Sequence, residues 1–282
     1  MQTYLGIDVG AETLRIVELS REGKRPRWTA RRELDHGKDP SRRLNELLGC
    51  RWKERPHIAV TGRLSRELGL PRVPARHARA AAHRFLVGEE PATLVSIGSH
   101  GFSVLELRPG GMEAYRENSR CSQGTGNFLR QLCERFGLTP EEADALCADV
   151  EQAAPLSGRC PVILKTDMTH LANKGEDRSR ILAGLFDAVC ENVQVLLKPG
   201  LSPPEVYLLG GVGRSKRIRR TFERSLSRLG MKLVTTGDPD DALYYDALGT
   251  ALSAAEGLAT TSDIRGLGEE SSLERLPPLS SH

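Results

Sequence analysis

Long apolar runs are missing from this chain. None approaches the roughly 20 residues that a membrane-spanning helix requires, and the mean hydropathy is −0.37. The opening residues, Met1-Gln-Thr-Tyr-Leu-Gly-Ile-Asp8, carry neither a basic segment nor an extended apolar one. No signal peptide and no membrane partner are therefore expected, and the expected location is cytoplasmic. Paired cysteines are missing too: Cys50, Cys121, Cys133, Cys147, Cys160 and Cys190 include no C-x-x-C pair. In a reducing compartment such thiols stay free, and serve as buried side chains or as metal ligands. Aromatics are scarce, with six Phe and five Tyr, which argues against stacking platforms for bases. Forty basic and thirty-seven acidic side chains leave a net charge of only +3. The arginine-rich stretches 27–32 and 214–220 have no aromatic interleaving and read as solvated faces, so no nucleic-acid partner is expected.

What is present is a chain of 282 residues, 39% of them hydrophobic, long enough for two lobes around a real core. Apolar runs and alternation predict strands at 2–9, 14–19, 28–34 and 57–61, with helices at 41–48 and 75–85. A second set of strands follows at 93–97, 103–107 and 112–115, the last two joined by a turn at Pro109-Gly-Gly111. This strand-turn-strand-turn-strand meander repeats the opening one and predicts two related halves. Helical patterns then occupy 127–136, 140–147, 167–174 and 179–197, with strands at 203–209 and 231–235 around a helix at 214–229, and a last helix at 240–256. The expected organisation is a first lobe, 1–91, completed by the helix 240–256, and a second lobe, 92–239. A polar tail, 257–282, is rich in Ser, Gly, Glu and Pro and is expected to be disordered.

Glycine turns punctuate this frame. Gly6-Ile-Asp8-Val-Gly10-Ala-Glu-Thr13 is a tight turn between two strands. Turns of this kind bring backbone N–H groups close to phosphate. Gly10 would admit the close approach, Thr13 would hydrogen-bond the phosphate, and Asp8 would hold water on Mg²⁺. Gly210-Gly211 follows a buried strand and suits the approach of an adenosine moiety. A plain β-hairpin explains any one of these turns alone. Cys121-Ser-Gln-Gly124-Thr125-Gly126-Asn-Phe128 and Ser157-Gly-Arg-Cys160-Pro each set one cysteine beside a glycine-bearing segment. From the residues alone Cys121 and Cys160 are either inert thiols or ligands. A helix starts just after the first, and a thiolate there gains from the helix dipole. After the second, Pro161-Val-Ile-Leu164 reads equally as a short strand.

Taken together, these segments resemble the superfamily of acetate kinase, sugar kinases, Hsp70 and actin. More closely, the chain is similar to the activator components of 2-hydroxyacyl-CoA dehydratases, a family shared with the ATP-binding subunits of benzoyl-CoA reductase. The resemblance runs from about Tyr4 to Leu252. It is carried by Thr61-Gly-Arg63, His77-Ala-Arg79-Ala80, Asn118-Ser-Arg-Cys121 through Leu129, Leu156-Ser-Gly-Arg-Cys160-Pro, Ile181-Leu-Ala-Gly184-Leu and Asp246-Ala-Leu-Gly249-Thr. It implies an α/β, two-lobed ribonuclease H-like ATPase fold with duplicated mixed sheets flanked by helices. It also implies a homodimer holding one [4Fe–4S] cluster between its subunits, with Cys121 and Cys160 as each subunit's ligands. ATP and Mg²⁺ would lie in the cleft, contacted by Gly10, Ala11, Glu12, Thr13, Arg15, Gly98, Ser99, Gly124, Thr125, Gly126, Gly210 and Gly211. A low-potential donor such as ferredoxin or flavodoxin would reduce the cluster. ATP would then drive one electron to an iron–sulfur dehydratase or reductase.

The second turn departs from the family pattern, Asp-Ile-Gly-Gly-Gln-Asp. Here it reads Ser96-Ile97-Gly98-Ser99-His100-Gly101, so the catalytic positions are Asp8, Ser96 and His100. Serine is a poor base. Arg15 stands where lysine is common, a milder change for phosphate contact. Two other functions stay open at this point: a non-hydrolysing ATP- or cluster-binding regulatory or assembly module, and a small-molecule kinase of the same superfamily.

Overall fold

The computed structural model describes residues 2–23, 26–55, 57–118, 125–156 and 160–257. Two mixed sheets, flanked by helices, form its frame. In the first, β1 (Gln2–Val9), β2 (Thr13–Arg21) and β3 (Pro26–Asp35) make an antiparallel meander, and β4 (Ile58–Thr61) lies parallel to β1. In the second, β5 (Ala92–Ile97), β6 (Phe102–Leu107) and β7 (Glu113–Asn118) repeat the meander, with β8 (Glu205–Leu209) parallel to β5 and β9 (Lys232–Val234) parallel to β8. The duplication read from the repeated strand-turn meander is therefore real, and each half adds a parallel crossover strand.

The first sheet also carries the trace of a fifth strand. Val60 N donates to Pro71 O at 2.8 Å and Val73 N to Val60 O at 2.9 Å, a single parallel bridge where β9 runs in the other half. Pro71 lacks the N–H that would carry the ladder further back, and Pro74 is the N-cap of the helix that starts at Ala75.

The period-2 geometry of β1 decides where the site lies. Leu5, Ile7 and Val9 face a core shared with Leu14, Ile16 and Leu44, the last from α1 (Pro40–Leu48). Tyr4 belongs to the other face, together with Val17, Leu19 and the helix α8 (Asp241–Ala255). Gly6 and Asp8 share that second face. A methyl at Gly6 would lie 2.1 Å from Ala247 O and 2.3 Å from Ala251 N, so α8 crosses β1 where the strand has no side chain. α8 also meets α2 (Ala75–Leu86), because a methyl at Gly249 would lie 1.6 Å from Ala78 O. Gly249→Ala must push the two helices apart. We expect it to lower stability by about 3 kcal/mol in denaturant titration. Gly237→Ala, at a site with open space around it, should be neutral.

The second half packs α3 (Gly126–Glu134), α4 (Pro140–Cys147), α6 (Arg178–Gln194) and α7 (Lys216–Arg228) over one face of its sheet. Cys133, Cys147 and Cys190 are buried there, and burial pushes the thiols of Cys133 and Cys147 up to about 12. The segment after Cys160 is helical throughout, not a strand: α5 spans Pro161–Asn173, with Pro161 in its first turn. Proline's fixed φ suits that position, and Leu164 and Met168, one turn apart, are both buried. Among the described residues no helix is long and apolar enough to cross a membrane.

Candidate functional site

The two halves enclose a cleft of about 1540 Å³, and the duplicated turns open into it from both sides. The first turn follows β1 and is closed by Gly10 N donating to Thr13 O at 3.0 Å. The second follows β5 and is closed in the same way, by Gly98 N donating to Gly101 O at 2.8 Å. Asp8 and Ser96 are equivalent in this duplication: each stands two residues before the glycine of its turn, and both line the cleft.

Asp8 lies beside Arg15 in the β1–β2 register, and Arg15 beside Glu33 in the β2–β3 register. Arg15 Nη1 is 3.5 Å from Asp8 Oδ2, while Nε and Nη2 donate to Glu33 Oε1 at 3.1 and 2.8 Å. Beyond Asp8, α2 and α8 supply a second ion pair. Arg79 Nε and Nη2 donate to the two oxygens of Asp246 at 2.7 and 2.9 Å, and Arg79 Nη1 donates to Ser103 Oγ at 2.7 Å. Ser103 is the register partner of Ser96, as Arg15 is of Asp8. In the second half, the cation thus comes from a helix rather than from the neighbouring strand.

Asp8 is 7% exposed, and its carboxyl is pushed up to about 7. Burial is the main cause and the charge of Asp246 the next; Arg15 and Arg79 oppose them. Next to Asp8 in the sheet, Thr61 is 1% exposed and its Oγ1 has no hydrogen-bond partner among the described residues. Gly62 follows with φ +94°, and a methyl there would lie 2.4 Å from Asp8 Oδ1. A buried carboxylate that resists ionising, beside an orphaned hydroxyl, suits Mg²⁺, which favours oxygen ligands and retained water. The chemistry of the donor set therefore fits a bound metal–nucleotide.

The structure brings most of the sequence-selected residues to this cleft. Gly10, Ala11, Glu12, Thr13 and Arg15 line one wall, and Gly98, Ser99, His100 and Gly126 the other. Burial holds the imidazole of His100 below its ordinary range, against the pull of Glu12. Gly210 adopts φ +86°, and a methyl there would meet Ile97 O at 2.5 Å; a methyl at Gly211 would lie 3.5 Å from Arg15 Nη2. Gly126 and Asn127 do not offer free amides: their N–H groups donate to Gly98 O and Ser99 O, both at 2.9 Å. Thr125 caps α3 by accepting from Phe128 N. Cys121 and Gly124 lie outside the described residues. Cys160 is half-buried, at the N-cap of α5.

Sequence reasoning missed three charged groups. Asp246 interrupts an otherwise apolar helical pattern, which is a signal for a buried partner, whereas Arg79 shares its helix with Arg76, His77, His83 and Arg84 and does not stand out among them. Asp144 of α4 receives Ser215 Oγ at 2.5 Å and the amides of Lys216 and Arg217 at 2.9 Å, which occupies the N-terminus of α7 with a carboxylate. That contact joins distant segments and leaves no local trace.

Comparison with known proteins agrees with this geometry. A model described as the BadF/BadG/BcrA/BcrD ATPase family matches residues 74–254. One of the benzoyl-CoA reductase subunits of Thauera aromatica is 27% identical over 268 residues, covering 90% of this chain and 94% of that one. The (R)-2-hydroxyglutaryl-CoA dehydratase activating ATPase of Acidaminococcus fermentans is 25% identical over 256 residues, covering 89% and 96%. The crystal structure of a component of that organism's (R)-2-hydroxyglutaryl-CoA dehydratase has a TM-score of 0.79 and 25% identity, covering 92% of this chain and 100% of that chain. The activator of the 2-hydroxyisocaproyl-CoA dehydratase from Clostridium difficile, solved with bound ADPNP, shares the fold at a TM-score of 0.76 and 22% identity, covering 91% and 96%. With more than half of the chain matched, on a duplicated fold whose turns meet in one cleft, this protein belongs to the BadF/BadG/BcrA/BcrD ATPase family.

Proposed function

We propose that the chain is an ATP-dependent activator that passes a low-potential electron from a [4Fe–4S] cluster, shared between two copies, to a partner acyl-CoA dehydratase or reductase. The observation that carries this reading is the joint between the second turn and α3. Gly98 O and Ser99 O hold the first amides of the helix that leaves the Cys121 segment, so the phosphate turn is tied by hydrogen bonds to the helix that follows the thiolate segment. A change at the turn is felt at the start of α3 without any intermediary.

In this reading Asp8 and the Thr61 hydroxyl would hold Mg²⁺, directly or through water, and Arg15 and the turn amides would orient the phosphates. Mg²⁺ supplies charge that neutralises the phosphates when bound. Neutral His100 would position the attacking water. Cys121 and Cys160 would each give one thiolate, and the bound cluster supplies one-electron chemistry. Cys160 suits the role where Cys133, Cys147 and Cys190 do not: it is half-exposed at a helix N-terminus, whereas the other three are sealed in the core. Val162 and Ile163 are exposed on the same helix, which suits burial against a second copy. The names of the relatives supply the partner class, an acyl-CoA dehydratase or reductase. A donor such as ferredoxin or flavodoxin and a cytoplasmic setting belong to the same proposal.

The test is anaerobic. Reconstituted, reduced protein mixed with an acyl-CoA dehydratase should be oxidised when Mg²⁺ and ATP are added, and should stay reduced with a non-hydrolysable analogue. Oxidation that ignores nucleotide would contradict the proposal. Ser96, standing where the duplication and the family pattern call for an acid, favours a second reading: a module that binds ATP without turnover. In that case bound ATP would be recovered intact from the same mixture.

A further inference from the structure

The first turn holds a feature that opposes its own ligand. Glu12 sits between the two turns, and a carboxylate there repels phosphate. Its side chain spans the cleft. Glu12 Oε1 is 2.8 Å from Arg130 Nη2, on α3, and Oε2 accepts from Ser99 Oγ at 3.3 Å in the second turn. Lys38 Nζ stands 4.0 Å from Oε1 and also reaches Ala11 O at 3.4 Å. His100 feels the charges of Glu12, Arg63, Lys38 and Arg130 together. Two cationic side chains, Arg130 and Lys38, thus meet one carboxylate at the place where both turns point.

We infer that Glu12 is an internal anion occupying the seat of the terminal phosphate, and that Arg130 is the residue that reads that phosphate. This rests on the nucleotide reading of the cleft and deepens it. A nucleoside triphosphate engages both turns only when Glu12 swings out, and its terminal phosphate then takes over Arg130 and Ser99. A diphosphate, one group shorter, leaves the Glu12–Arg130 pair in place. Arg130 lies little more than one turn beyond the Thr125 cap. The exchange therefore acts on the end of α3 that the second turn already holds. A carboxylate-to-phosphate exchange moves no covalent bond, and the side chains are exposed enough to turn without unfolding.

The experiment measures ATP-analogue and ADP affinities of the full chain by calorimetry with Mg²⁺, for wild type, Glu12→Gln and Arg130→Met, each checked for a cooperative melt. Glu12→Gln should bind the non-hydrolysable triphosphate about tenfold tighter, with little change for ADP. Arg130→Met should lose about tenfold of the preference for triphosphate over diphosphate. Glu12→Ser is a second removal of the charge, with the same expected direction. If removing the charge leaves the triphosphate affinity unchanged, or weakens both nucleotides equally, Glu12 is a structural tie and the inference is overturned. If wild type and variants all bind neither nucleotide, the reading of the cleft itself falls, and this inference with it.

Discussion

Asp8→Asn is expected to cut ATP turnover by about a hundredfold or more while making the metal-free protein harder to unfold. Both effects have one cause. Asp8 is held in a buried, carboxylate-flanked position that raises its pKa from 3.8 to about 7. Near neutral pH and above, the folded protein carries an ionised group that it disfavours and the unfolded chain does not. Because the folded value is the higher one, Asp8 stabilises the fold fully only below about pH 4, and that contribution is lost as pH rises to about 7. Asparagine keeps the shape and removes the charge. The melting temperature of Asp8→Asn should exceed that of wild type at pH 8 without Mg²⁺, and the gap should close on acidification towards pH 4. Activity goes the other way, because an amide cannot offer the metal a charge. This is the usual opposition between stability and function at a strained site. An Asp8→Asn variant with wild-type turnover, or with a lower melting point at pH 8, would contradict the assignment of Asp8 as the metal-side carboxylate.

Cys160→Ser is the second large effect. In the proposed centre shared between two copies, one substitution would remove two of four thiolates, and iron retained after anaerobic reconstitution should fall from about four atoms per pair of chains to nearly none. Folding should scarcely change, since Cys160 is half-exposed and its side chain makes no capping hydrogen bond to α5. Cys133→Ser provides the opposite pattern. Its thiol lies fully buried in the core over the second sheet, so a hydroxyl there lowers the melting point and leaves iron binding intact. Colour and iron tracking Cys133 rather than Cys160 would overturn the ligand assignment.

Much of the fold was legible before the structure. The apolar runs of β1 and β5 and the alternation in β2, each bounded by glycine turns, announced the meanders; β1, β5 and β6 are buried along most of their length on both faces, which calls for continuous apolar runs. The glycines at 10 and 210 marked turns that side chains would block. Pro161-Val-Ile-Leu164 was ambiguous because four apolar residues fit either period. Leu164 and Met168, one turn apart and both buried, resolve it as helix. The bridge at Val60 and Arg72 was not legible, since two hydrogen bonds between prolines leave no pattern. At the site, Asp8 and its turn were visible as local motifs. The groups that tune Asp8 were not: Arg79 and Asp246 come from helices remote in sequence, and their pairing depends on α8 crossing β1 at Gly6. The Glu12–Arg130 contact was hidden for the same reason. Each residue alone is an ordinary surface charge, and only the closure of the two halves brings them together.

Nucleotide in this cleft is proposed to drive a metal centre shared by two chains. Native mass spectrometry of the anaerobically reconstituted full chain tests it most directly. One species is expected, with the mass of two chains plus one [4Fe–4S] core, and it should dissociate to apo monomers when the cluster is removed. A monomer carrying its own iron, or a pair of chains that stays together and gains no iron or sulfide, would contradict it.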